Sequence, residues 1–252
     1  MYIDTHTHIT TEDIKAYQND LDEAKRLGVE KIILVATDVE ERKNVLSYKS
    51  DFVEVAYGIY PSDRKEIDKV GLDELEKLMQ DNTFIALGEI GLDYHWYPDN
   101  KEVQREMFKK QIEIANRTNK PIIVHTRDAW QDTLDILKAT PNRRRGIIHC
   151  FTGSVEMAKE FTKLGYYLGF GGVLTFKNAR HPKEAIKAMD LKYLLFETDA
   201  PYLAPEPNRG KTNRTYYVKN VYEYAAELLE IDLEQLCLLV RENYQRLFNV
   251  ED

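Results

Sequence analysis

Short apolar runs recur along the chain at regular spacing, each too brief for a helix and each bounded by polar residues or glycine. Eight can be marked: Tyr2 to His6, Lys31 to Thr37, Val53 to Tyr60, Phe84 to Gly91, Pro121 to Thr126, Gly146 to Phe151, Tyr166 to Gly172 and Tyr193 to Asp199. Several are continuously apolar, as in strands covered on both faces. Between them the spacing changes to a helical period. Trp130, Leu134 and Leu137 share one face, and so do Phe108, Ile112 and Ala115.

Caps sharpen these helices. Ser154 is placed to cap a helix carrying Met157, Phe161 and Leu164, which Gly165 would end. After the eighth run come two further amphipathic segments. One carries Val218, Val221, Tyr222, Ala225 and Leu229, and the other begins at the Asp232/Gln235 pair and carries Leu236, Leu239, Val240 and Leu247. Strand and helix alternating eight times predict an α/β fold, a (β/α)8 TIM barrel, as one domain over residues 1–252. The rival is an open doubly wound sheet. It is disfavoured because the first strand-to-helix junction lacks a glycine-rich phosphate loop.

Composition narrows the partners. With 43% apolar residues the chain can build a large core, and no apolar run approaches the roughly 20 residues of a membrane helix. A secretory leader is not expected, because Asp4, His6 and His8 interrupt the first apolar run, and a cytoplasmic location follows. Cys150 and Cys237, far apart in sequence, read as buried reduced thiols. A net charge of -8 argues against coating long nucleic acid, yet leaves anionic substrates open if metal ions and local cations supply the positive field.

The chemistry gathers at the ends of the predicted strands. His6 and His8, two residues apart, can point to the same side. Glu89 ends the fourth run, His125 the fifth, His149 the sixth and Asp199 the eighth. In a barrel the strand C-termini surround one mouth, so these six become neighbours. His95 and His181 fall outside the pattern. Each residue alone has an ordinary reading as a packed histidine or an ion-pair partner; Glu89, for instance, could pair with Arg127. Six metal-capable groups at the same end of eight strands are a different matter, and they predict a metal centre. Imidazole and carboxylate donors suit Zn2+, Mn2+, Fe2+ or Ni2+, and an oxygen-rich shell would suit Mg2+. Six donors exceed the needs of one open catalytic ion, so two divalent ions sharing a carboxylate are the economical arrangement.

The same residues carry a resemblance. DTHTH at the N-terminus, GEIGLDYH at Gly88 to His95, VHTRDA at Val124 to Ala129, HCFTG at His149 to Gly153 and ETDAPYL at Glu197 to Leu203 resemble the TatD-type metal-dependent hydrolases from residue 2 to about residue 248. That resemblance implies a distorted TIM barrel, divalent metal dependence and deoxyribonuclease activity, often as a 3′ to 5′ exonuclease on single strands or ends. It also implies roles. His6, His8 and Asp199 would hold one ion and His125 and His149 the other, with Glu89 bridging and Asp199 acting as base. Arg127, Arg209 and Lys177 are candidate contacts to substrate phosphates. Tyr60, Tyr94, Tyr202 and Phe176 could stack on unpaired bases, although most are expected to be packing residues.

Three positions depart from the family pattern: Tyr60-Pro61-Ser62 replaces His-Pro-His, Thr215 replaces a proline after Arg209-Gly210-Lys211-Thr212-Asn213, and Thr10 stands where relatives carry an acidic residue. They touch substrate handling rather than the metal shell. The alternative activities on such a site are an amidohydrolase, a phosphoesterase or an aminoacyl-tRNA deacylase, and a non-enzymatic binding barrel is the more distant rival.

Overall fold

The computed structural model describes residues 1–9, 11, 14–62 and 71–249, and Thr10 lies outside them. Its centre is one eight-stranded parallel sheet in sequence order. The strands are β1 (Tyr2–Thr7), β2 (Val29–Ala36), β3 (Val53–Tyr57), β4 (Ala86–Asp93), β5 (Ile122–Arg127), β6 (Gly146–Ile148), β7 (Tyr167–Phe170) and β8 (Leu194–Phe196). Helices follow them among the described residues: α1 (Ile14–Arg26), α2 (Val39–Leu46), α3 (Leu72–Met79), α4 (Lys101–Arg117), α5 (Trp130–Ala139), α6 (Val155–Lys163), α7 (Arg180–Ala188), α8 (Val218–Leu229) and α9 (Leu233–Phe248). This is the (β/α)8 barrel that the alternation predicts. None of these helices is long and apolar enough to cross a membrane.

The apolar runs are continuous because every strand is covered twice, by the barrel interior and by the helix layer. All residues of β1, β4 and β7 are buried. The predicted caps form: the Ser154 side chain accepts from the Met157 amide, and Asp232 accepts from the amides of Glu234 and Gln235. Phe108, Ile112, Ala115, Leu134 and Leu137 are buried on the inner faces of α4 and α5.

Two of the strands that end sooner than their apolar runs bear on the donors. β6 stops at Ile148 and β8 at Phe196, so His149 and Asp199 lie on the connections just beyond. The barrel closes through this extension. The Asp199 amide donates to the His6 carbonyl at 2.9 Å, and the His8 amide to the Ala200 carbonyl at 2.8 Å. Below that seam α8 inserts Tyr222, whose hydroxyl bonds both the amide and the carbonyl of Ile3 at 3.1 and 3.2 Å.

At the other side of the barrel, Gly91 is paired with His125 across β4 and β5 and has a φ of +141°. A Cβ at Gly91 would overlap the His125 carbonyl, so only glycine lets β4 run this close to the strand that carries the imidazole.

Candidate metal centre

The six donors converge on Glu89. One carboxylate oxygen, Oε1, is 2.7 Å from His125 Nδ1 and 2.9 Å from His149 Nε2. The other, Oε2, is 3.4 Å from His6 Nε2 and 3.8 Å from His8 Nε2. Asp199 Oδ1 approaches the same pair, 3.5 Å from His8 Nε2 and 3.9 Å from His6 Nε2. Glu89 therefore divides its two oxygens between two pairs of imidazoles. None of its described partners is Arg127.

Which atoms face inward follows from what stands behind each ring. His8 Nδ1 is 3.0 Å from the Val35 carbonyl, His125 Nε2 is 3.1 Å from Asp93 Oδ2, and His149 Nδ1 is 3.3 Å from Glu197 Oε1. Each outer nitrogen meets an acceptor, so the neutral ring carries its hydrogen there. The inner nitrogen keeps its lone pair. Lone pairs then face one another at His125 Nδ1 and His149 Nε2, 3.3 Å apart, and the His8 Nε2 lone pair lies 3.2 Å from Nε2 of His6, whose Nδ1 is buried with no described partner. Such an arrangement is repulsive unless positive charge lies between the donors.

The titration directions say the same. Burial works against a charged His8, but Asp199 and Glu89 outweigh it and raise the imidazole to about 9. His149 and His125 are also raised against their burial by neighbouring carboxylates. His6 alone is lowered, by burial and by the proximity of His149. Glu89, despite complete burial, is held well below the usual carboxylate range by His149 and His125, and Asp199 is lowered against burial by His8. The cluster demands positive charge. Nitrogen and oxygen donors, three outer nitrogens already committed and no thiolate among them, fit divalent cations. Three overlapping groups can hold an ion: His6, His8 and Glu89; Glu89, His125 and His149; and His6, His149 and Asp199.

Several supporting residues lie within quoted motifs without having been singled out from sequence. Asp93 accepts from His125 and from the Tyr60 hydroxyl through Oδ2, and from the amides of His95 and Trp96 through Oδ1. Glu197 accepts from His149 and, at 2.6 Å, from the Cys150 amide. Asp4 accepts from Thr198 and Thr215 and so ties β1 to the segment carrying Asp199. A signal did exist. A carboxylate four residues beyond Glu89, or two before Asp199, sits at the same strand ends as the donors. Tyr60, where the family pattern has a histidine, also lies 3.2 Å from His125 Nε2 through its hydroxyl.

Above the donors opens a cavity of about 700 Å³. Arg127 lines it, as expected from its place after His125. Arg209 and Lys177 do not. The Arg209 guanidinium instead lies 3.7 Å from the centre of the Phe176 ring, and Lys177 is exposed. Both chains leave a loop above the barrel, and a loop's position over the mouth does not decide where its cations point. Among the aromatic candidates, Tyr94 gives its hydroxyl to Asp132 and Phe176 carries Arg209, while Tyr202 is exposed in the cavity wall. Cys150 departs from the expected burial: Cys237 is buried, but Cys150 is only partly covered and faces the cavity. His95 is exposed and pairs with Asp128, away from the donors.

Comparison with known proteins agrees with this geometry. The family described as TatD related DNase matches residues 3–249. The metal-dependent hydrolase YabD of Bacillus subtilis is 42% identical over 257 residues, covering 99% of this chain and 100% of its own length. The metal-dependent hydrolase YcfH of Escherichia coli is 37% identical over 256 residues, covering 99% and 96%. Among solved structures, the TatD homologue YjjV of Escherichia coli superposes with a TM-score of 0.93 at 30% identity, covering 99% of this chain and 98% of that one. With the donors gathered on one carboxylate at the mouth of a barrel, the chain belongs to the TatD family of metal-dependent hydrolases.

Proposed function

We propose that the chain, working as a single cytoplasmic domain, is a deoxyribonuclease that hydrolyses phosphodiesters at DNA ends or in single strands with two divalent ions. The observation that carries this reading is Glu89, with Oε1 at 2.7 and 2.9 Å from His125 and His149 and Oε2 at 3.4 and 3.8 Å from His6 and His8. A carboxylate so divided suits a pair of cations better than one. His6, His8 and Asp199 would hold one ion, His125 and His149 the other, with Glu89 shared. When bound, such a pair supplies Lewis acidity toward water and toward the phosphoryl oxygens.

The protein's own groups supply the rest. Asp199 is ionised, held by His8 and with its amide bonded to the His6 carbonyl, so it can accept the proton of the attacking water at a fixed position. Arg127, exposed in the cavity wall beside the donors, offers charge to a non-bridging phosphate oxygen. Asp93 and Glu197 keep the outer nitrogens of His125 and His149 protonated and their rings oriented.

The test is release of 3′-terminal nucleotides in Mg2+ or Mn2+, compared across single-stranded DNA, RNA, duplex DNA and a generic phosphodiester. Single-stranded DNA should be the preferred substrate. Glu89→Ala should lose more than the roughly 10- to 100-fold that changes behind a metal ligand cost. Equal rates for wild type and Glu89→Ala would refute the assigned chemistry.

A further inference from the structure

Six large hydrophobic side chains are exposed among the described residues, and three of them, Trp96 (62%), Tyr202 (62%) and Leu203 (37%), line the cavity over the metal centre. Isolated exposed apolar residues are ordinary, but half of them around one polar mouth call for an apolar or planar ligand. Neither aromatic ring is on a loose tether. Trp96 follows β4, and its amide donates to Asp93 Oδ1 at 2.9 Å. The other oxygen of that carboxylate holds His125. His95 packs edge-on against the indole with ring centres 4.8 Å apart, and the Arg127 guanidinium lies 5.3 Å from its centre. Tyr202 follows β8. Its amide donates to the Asp199 carbonyl at 2.9 Å, and its carbonyl accepts from Asn213 at 2.6 Å. Each ring is therefore fixed through backbone to a group of the centre itself.

Trp96 and Tyr202 follow strands four apart in the eight-strand order, and both line the cavity over the donors, Trp96 beside Arg127 and Tyr202 6.4 Å from the His8 ring. Beside them lie Arg127 and the donors, which would hold the cations that a phosphate meets. Alternating charge and aromatic faces match a polynucleotide, whose phosphates alternate with bases. Stacking is available only to unpaired bases and does not depend on their identity.

We propose that Trp96 and Tyr202 form a two-sided stacking clamp for the unpaired nucleobases on either side of the scissile phosphodiester. The proposal rests on the deoxyribonuclease reading above and narrows its substrate to strands with a base on both flanking nucleotides. Duplex interiors are excluded because their bases are already stacked.

The experiment compares end-release kinetics on single-stranded DNA that is intact, or abasic at the terminal or at the penultimate nucleotide. The proteins are wild type, Trp96→Ala, Trp96→Phe and Tyr202→Ala, with Leu238→Ala, exposed on α9, as the reference change. Loss of one base should raise KM for the wild type roughly 5- to 150-fold. Trp96→Ala should raise KM on the intact strand similarly and then be indifferent to one of the two abasic positions, with Tyr202→Ala indifferent to the other. Trp96→Phe should keep most of the affinity, and Leu238→Ala should match wild type. Wild type that cuts abasic strands as well as intact ones overturns the clamp while leaving the nuclease reading standing, and so do losses that multiply at both positions.

A second measurement does not need cleavage. In a Trp130→Phe background loaded with Mg2+, Trp96 emission should be quenched by a short single strand with cleavage-resistant linkages and not by its abasic equivalent. Quenching here, together with no end release from ordinary strands in Mg2+ or Mn2+, would support the clamp while removing the nuclease reading. Absence of quenching overturns the clamp.

Discussion

Glu197 stands directly behind His149: its Oε1 lies 3.3 Å from the imidazole Nδ1, while its Oε2 rests against Gly169, where any Cβ would overlap it. The carboxylate is wholly buried, and its only described hydrogen-bond donors are that ring and the Cys150 amide. Its charge orients the ring and raises its basicity toward a metal. Glu197→Gln should lower metal affinity about 10- to 100-fold with the fold retained. Gly169→Ala, which forces the carboxylate to move, should do the same. Titration of each variant with Zn2+ or Mn2+ decides it, and unchanged affinity in both would remove Glu197 from the centre.

Asn213 should matter without touching the cavity. Its side-chain amide donates to the carbonyls of Thr198 at 2.8 Å and Tyr202 at 2.6 Å, and its oxygen accepts from the Arg214 amide. These bonds bracket Asp199. Asn213→Ala leaves the buried Thr198 carbonyl without that donor and should destabilise by roughly 1–3 kcal/mol. It should also lower turnover, because the base loses its fixed position. Urea unfolding and single-turnover rates would separate the two effects.

Metal uptake should be coupled to proton release. Neighbouring carboxylates raise His8 to about 9 and raise His125 and His149 as well, so near pH 7 the metal-free centre holds protons where cations bind. Affinity should therefore increase as pH rises toward about 9, and a pH-stat should record acid on addition of metal. The sign for stability is opposite. A raised imidazole contributes stability fully below about 6.5, and that contribution is lost as pH climbs through about 9. Chelated protein should weaken over this window and loaded protein should not. A flat metal-affinity profile between pH 6.5 and 9 would contradict the assignment.

Asp4 sets a different window. Burial raises its carboxyl from 3.8 to about 7, against the bonds it accepts from Thr215, Thr198 and the His6 amide. A raised acid keeps its proton in the folded state after the unfolded state has lost it. Stability should therefore fall as pH rises from about 4 to about 7, by on the order of 4 kcal/mol at most. Asp4→Asn keeps the size and removes the titration, so the slope of unfolding midpoint against pH should flatten in that range.

Much of this molecule is a local property of the chain. The shift from short apolar runs to a 3.6-residue period locates strands and helices, because burial on both faces and burial on one stripe leave different spacings. Ser154 and Asp232 mark helix starts by chemistry that acts within three residues. Even the six donors are visible, since a strand end is a sequence position. Tertiary structure decided what depends on distance across the barrel: that β6 and β8 stop short so that His149 and Asp199 ride on the closing connections, and that Glu89 divides its oxygens between two pairs of rings. It also decided that Asp93 and Glu197 stand behind the imidazoles, that Arg127 faces the cavity and that Arg209 turns to Phe176. These partners come from different strands or loops, and their separation is set by barrel closure and packing, which no local spacing encodes.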